Sequence, residues 1–181
     1  MNSQIFIKFN SFVKNRLIEL FGILSILCSI FLFASIISYS PEDPNFIYTP
    51  ESVQIKNIGG FYGSVASDFL LQSIGFISIL VTFNIFYWGY KLSINKKITN
   101  FISRIFFTLI YIILGTACIN ISFNDSFWLI DNGNGGFIGR IVKENIYSFT
   151  DLIENQITIY CLILLTITFF LSSLNLKLIE I

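Results

Sequence analysis

Histidine does not occur anywhere in this chain of 181 residues. Its absence removes the commonest metal ligand and the usual general base at neutral pH. Charge is scarce too: 12% of the residues are Asp, Glu, Lys or Arg, against roughly 25% in soluble domains. Eleven basic residues balance eleven acidic ones, so no bulk positive field draws in nucleic acid. Cysteine is limited to Cys28, Cys118 and Cys161. Each lies in an apolar run and no two are near in sequence, which reads as small buried hydrophobes rather than a metal site or redox pair. No acids converge within the apolar segments, so catalysis has few candidates. Asp125, Asp131 and Glu144 read as solvated acids of a loop, and no enzyme activity, metal or cofactor is expected of this chain.

What the chain has in abundance is apolar surface: 54% of it is hydrophobic. Four stretches of about 20 apolar residues stand out, at 17–38, 69–90, 101–121 and 157–176, after an N-terminal segment 1–16. At about 1.5 Å per residue, a 22-residue helix measures about 33 Å and crosses a hydrocarbon core of about 30 Å. Lipid supplies no hydrogen-bond partners, so each span satisfies its own backbone as a helix. The sequence predicts an all-α membrane domain over 17–176. The first stretch is too long for a signal-peptide core and no A-x-A-like site follows, so it reads as a retained anchor.

Lys and Arg set the expected orientation. Lys8, Lys14 and Arg16 precede the first span, and Lys91, Lys96 and Lys97 join the second to the third. The two long connections, 39–68 and 122–156, are acidic on balance. Cationic segments stay on the cytoplasmic side, which predicts cytoplasmic termini and two long outer loops. Trp88, Tyr90 and Trp128 fit interfacial anchoring. Within the spans, Glu19 and Arg104 lie near ends from which they can snorkel. Asn84 is the deepest strongly polar residue and reads as a bond to a neighbouring helix. Gly22, Ser25 and Ser29 suggest a close-packing face on the first span, and Gly115 and Ala117 one on the third.

One phrase is written twice. Gly59-Gly60-Phe61-Tyr62-Gly63 stands in the first long loop, and Gly135-Gly136-Phe137-Ile138-Gly139 in the second. Each unit reads span, loop, Gly-Gly-aromatic-x-Gly, helix, returning span. The chain is expected to be two tandem helical hairpins, a parallel repeat. Paired glycines reach positive φ and turn the chain into a helix. After the second copy, Phe137, Ile138, Ile141, Val142, Ile146, Phe149, Leu152 and Ile153 recur at helical spacing. They predict an amphipathic helix at the interface before the fourth span. After the first copy the equivalent is expected to be shorter, running almost directly into span two. No G-x-x-x-x-G-K-[ST] phosphate loop occurs.

The first span exits through "SYSPEDPNF", residues 38–46. Pro41 disfavours helix at Ser40 and stops the span. This phrase, "NIGGFYGSVASDFLLQSIGF" before and within span two, "YWGYKL" at its far end, and "GGFIGRIV" before span four resemble the N-terminal four-helix membrane domain of FtsK/SpoIIIE-type DNA translocases. The resemblance runs from about residue 12 to 176. Its motif residues are Tyr39, Pro41, Asp43, Pro44, Gly59, Gly60, Gly63, Asp68, Gly135, Gly136 and Gly139, none of them catalytic. It implies an inner-membrane module at the division septum that self-associates, recruits division proteins and does not itself touch DNA. It further implies a cytoplasmic ATPase, using ATP and Mg, that is absent from this sequence. A competing expectation is a small carrier or channel, with a path lined by Asn84 and Thr108. The near-absence of buried charge weighs against it.

Overall fold

The computed structural model of the chain describes residues 2–49, 54–124, 129, 132–148 and 155–174. Among these residues there are six helices and no strand. They are α1 (Asn2–Ile37), α2 (Gly60–Ile74), α3 (Ile77–Asn95), α4 (Phe101–Ser122), α5 (Gly136–Tyr147) and α6 (Gln156–Leu174). Four are long and apolar enough to cross a membrane: α1 over Ile7–Ile37, then α3, α4 and α6. The expected all-α class with four spans is the observed one. Their large apolar side chains point outward in numbers no water-soluble bundle tolerates; Leu20, Leu24, Leu27, Phe106, Leu109 and Leu164 are all half or more exposed.

α1 packs antiparallel on α3, and α4 antiparallel on α6. Glycine sets the first approach. A Cβ on Gly22 would lie 2.7 Å from the Gly89 carbonyl oxygen, and one on Gly89 2.8 Å from that of Gly22. Further along, the Ser29 hydroxyl donates to the Thr82 carbonyl at 2.7 Å, and Phe33 meets Phe83 at 5.5 Å. Ser25 lies off this contact, its hydroxyl turned back to the Phe21 carbonyl. The close-packing face is therefore Gly22 with Ser29. In the other pair, Phe107 meets Phe169 and Tyr111 meets Phe170 at 5.9 and 5.3 Å. Gly115 leaves room for Ile77 and Thr166.

Two elements differ from expectation. The apolar run 69–90 is not one helix. It breaks at Gly75, where φ is +57°, so residues 69–74 belong to α2 and the crossing helix starts at Ile77. The element after the first glycine copy is thus a separate helix of 15 residues, longer than the 12 of α5. The first helix also starts far earlier than residue 17, because nothing in 2–16 breaks it. Trp128, Asp125, Asp131 and residues 149–154, with the end of the fourth expected span at 175–176, lie outside the described residues.

The buried polar residues tie helices together. Asn84 Nδ2 donates to the Ser173 hydroxyl at 2.6 Å, with the Thr108 and Tyr111 hydroxyls at 3.3 and 3.4 Å. One amide thereby joins α3 to both α4 and α6, the packing role expected of it. Arg104 is 5% exposed. Its guanidinium donates to the Thr99 carbonyl and hydroxyl and to the Ser173 carbonyl, which Trp88 Nε1 also reaches at 3.1 Å. A cation and an indole N–H thus converge on one carbonyl, that of Ser173, near the described end of α6. Glu19 pairs with Arg16 and, at 2.8 Å, with Lys96 in the α3–α4 turn.

Candidate functional site

The motif residues gather at one end of the bundle, opposite the α3–α4 turn. Asp43 is their centre in the first loop. Its carboxylate is 2% exposed and accepts from the backbone N–H groups of Lys56 and Asn57 at 2.9 and 2.8 Å. Those two bonds pin the far strand of the loop against the exit of α1. Pro44 presents its carbonyl to the Ser64 hydroxyl at 2.8 Å. Asp68, on α2, accepts from the Tyr39 hydroxyl at 3.1 Å and from Asn45 Nδ2 at 3.0 Å. Glu42 pairs with Lys56 at the surface. The Lys56 hydrogen bond, and then its charge, hold that carboxyl below its ordinary range. Both side chains are mostly exposed, so the pair adds little stability.

The two glycine copies share one backbone conformation. Gly59 and Gly135 cap their helices at φ −79° and −85°. Gly60 and Gly136 follow at φ +62° and +67°. Each second glycine donates its N–H three residues back, Gly60 to Asn57 and Gly136 to Gly133. Gly63 and Gly139 then face the preceding long helix. A Cβ on Gly63 would sit 2.7 Å from the Ser35 hydroxyl, and one on Gly139 2.4 Å from the Thr116 carbonyl.

Their surroundings differ. The first copy docks within its own half, on Ser35, Phe31 and Asn57. The second also grips the other half. Phe76 N–H at the α2–α3 break donates to the Asn134 carbonyl at 3.0 Å. A Cβ on Gly136 would lie 2.5 Å from Gly75 N, and one on Gly75 1.9 Å from the Asn134 oxygen. Asn132 Nδ2 donates to Gln72 Oε1 at 2.9 Å, and Leu129, 1% exposed, packs against Ile36 and Leu71. The break in the second span is thus the socket for the second glycine pair, and the Asn134 carbonyl just before that pair satisfies the Phe76 N–H at the break.

Beside this assembly lies a cleft of about 590 Å³. Asp68, Asn45 and Tyr39 form its polar floor, Gln72 and Asn132 one side, and Phe46 and Ile47 a rim; the two rim residues are 82% and 96% exposed. Pro41 also lines it. Sequence reasoning missed Asn57, Gly75, Leu129 and Asn134. Asn57 is the loop's organiser. Its Nδ2 donates to the Ser35 carbonyl at 2.8 Å and its Oδ1 accepts from Gly59 N–H at 2.9 Å. An Asn shortly before each Gly pair was the available signal. Among the described residues no group of His, Cys, Asp and Glu is placed to hold a metal ion. What the arrangement offers is a rigid, partly apolar surface for binding.

Residues 14–180 match the family described as the 4TM region of DNA translocase FtsK/SpoIIIE. DNA translocase FtsK of Rickettsia bellii is 27% identical over 160 residues, which cover 88% of this chain and 20% of that protein. DNA translocase FtsK of Azospirillum brasilense is 32% identical over 89 residues, covering 49% and 14%. That of Mesorhizobium japonicum is 24% identical over 134 residues, covering 74% and 15%. The matched stretches span a fifth or less of these curated relatives. No solved structure matches the chain. Four spans, a doubled glycine motif and a match over nearly the whole length agree: this is a multi-pass membrane protein, and the chain belongs to the family of 4TM regions of DNA translocase FtsK/SpoIIIE.

Proposed function

We propose that this chain is the membrane anchor and septal assembly module of an FtsK-type DNA translocase, linking division to chromosome segregation. It sits in the inner membrane with both termini cytoplasmic, associates with further copies of itself, and leaves DNA and ATP with Mg to a motor domain of the parent protein. The observation that carries this reading is the loop-end assembly. The polar side chains within the spans bond inside the bundle, to their own helix or to a neighbouring one, whereas the loop end builds a braced platform with a cleft and an exposed apolar rim. A surface of that kind suits a protein partner. The family match supplies the translocase context.

The test is replacement of Gly59, Gly60, Gly135 and Gly136 together by bulky residues in the parent protein, with midcell localisation and division scored. Loss of both at normal membrane abundance is expected; normal division and localisation would sink the reading. An alkaline phosphatase fusion at Asn95 tests the orientation and is expected to be inactive. The carrier alternative draws no support from Asn84 and Thr108, whose side chains bond across helices of the same chain. Flux of a small ion or metabolite through reconstituted vesicles would revive it.

A further inference from the structure

The helix α1 is too long for the membrane it crosses. At about 1.5 Å per residue its 36 residues measure about 54 Å, against about 30 Å of hydrocarbon. Residues 17–37 alone measure about 31 Å. The turns before them touch no other part of the described chain closely enough to be covered: Phe9, Phe12 and Val13 are 64%, 56% and 38% exposed.

Those turns continue the lipid-facing side of the span. Phe9, Val13, Arg16, Leu20, Leu24 and Leu27 follow one another at three- and four-residue steps, so they form one stripe. The stripe lies away from Gly22, Ile26 and Ser29, which face α3. Toward the N-terminus it changes in one respect: basic residues enter it, at Arg16, and flank it, at Lys8 and Lys14. Lys8, Lys14 and Arg16 accompany Phe9, Phe12 and Val13, and no acid occurs before Glu19. Glu19 itself is engaged by Arg16 and Lys96. The Arg16 guanidinium lies 5.2 Å from the Phe12 ring. Among the described residues no ion pair joins Lys8 or Lys14 to an acid. The same end of the bundle carries Lys91, Lys96 and Lys97 with no acid between them.

We propose that the first four turns of α1 form an anionic-lipid anchor. The Phe9–Phe12–Val13 stripe beds into the headgroup boundary of the leaflet at the α3–α4 turn, and Lys8 and Lys14 take lipid phosphates. Continuity with the lipid-facing stripe and charge complementarity select lipid over a second copy, which would bring like charges together.

The full chain, with Cys28 and Cys161 replaced by Ala, is reconstituted in vesicles of phosphatidylcholine alone or with one third phosphatidylglycerol. Nitroxides are placed singly through Phe9→Cys, Val13→Cys and Ser11→Cys. With phosphatidylglycerol, the labels at positions 9 and 13 are expected to lose access to a water-soluble nickel chelate several-fold and to gain access to oxygen, while the label at position 11 stays in water. Lys8→Gln with Lys14→Gln is expected to weaken this docking by roughly fivefold per charge. Three results would overturn the proposal: stripe labels open to the chelate in both vesicles, equal shielding in both, or shielding that vanishes when protein is diluted into excess lipid. The last would assign the stripe to copy–copy contact.

Discussion

Gly60 and Gly136 share a left-handed backbone but not an environment, and the difference fixes what each tolerates. A Cβ at Gly60 would meet nothing within 4 Å, so Gly60→Ala carries only the left-handed strain, about 1–2 kcal/mol. A Cβ at Gly136 would strike backbone atoms of Ser73, Ile74 and Gly75, which cannot yield as a side chain does. Gly136→Ala is therefore expected to lower the unfolding midpoint in detergent far more than Gly60→Ala. Equal losses would mean that strain alone matters at both sites. Asp43 poses a different question at the same scale. Its carboxylate is the acceptor for two backbone N–H groups inside the loop. Asp43→Ala leaves both without that acceptor, at about 1–3 kcal/mol. The Lys56 and Asn57 amides should then exchange with deuterium roughly ten- to hundredfold faster, since about 1.4 kcal/mol is a factor of ten. Unchanged exchange at those two amides would show that the loop is held by other bonds.

At the scale of elements, the sequence discloses what one segment decides for itself. Four apolar runs become four crossing helices because lipid leaves a backbone no other way to pair. The helix over Gly136–Tyr147 was legible in the spacing of Phe137, Ile141 and Val142, and the glycine pairs in their repetition. The α2–α3 break was not legible, for a physical reason. The run 69–90 is predominantly apolar and holds two glycines, Gly75 and Gly89, of which only Gly75 breaks the helix; an isolated glycine in such a run is compatible with an unbroken helix. What makes the break stable is a carbonyl from another part of the chain, that of Asn134, waiting for the Phe76 N–H. Leu129 is illegible in the same way, since the short apolar run 127–130 gives no sign of which residue fills the Ile36–Leu71 niche. The break can be tested as a socket. A short bismaleimide is expected to join Gln72→Cys to Asn132→Cys, because the native side chains meet at 2.9 Å. Adding Gly75→Ala, whose Cβ would lie 1.9 Å from the Asn134 oxygen, should cut that yield several-fold. An undiminished yield would mean that the second loop holds its place without the break.

The whole molecule is two halves fastened at two levels. At the loop end, Leu129, Asn132, Asn134 and Gly136 of the second half engage Ile36, Gln72, Gly75 and Phe76 of the first. Toward the α3–α4 turn, Asn84 and Trp88 of α3 reach Ser173 of α6. Polar contacts between membrane helices average about 0.6 kcal/mol and reach about 1.7, so Asn84→Leu alone should cost little and leave the halves in register. Gly75→Ala should disturb the loop end while the lower fastening holds. Together they weaken both fastenings, leaving the Trp88 bond to Ser173 as the remainder of the lower one, and the halves should separate or slide. Native cysteines report this without new ones: Cys28 on α1 and Cys161 on α6 are exposed on the outer faces of their helices, contrary to the burial expected of all three, and only Cys118 is buried. With nitroxides on Cys28 and Cys161, pulsed dipolar spectroscopy should give one narrow distance for the parent and for each single variant. A broad or displaced distribution is expected for the pair. If the pair stays narrow, the direct contacts of α3 with α4 hold the halves, and the two fastenings position loops rather than join the bundle. If Gly75→Ala broadens it alone, the glycine socket is the joint on which the duplicated architecture depends.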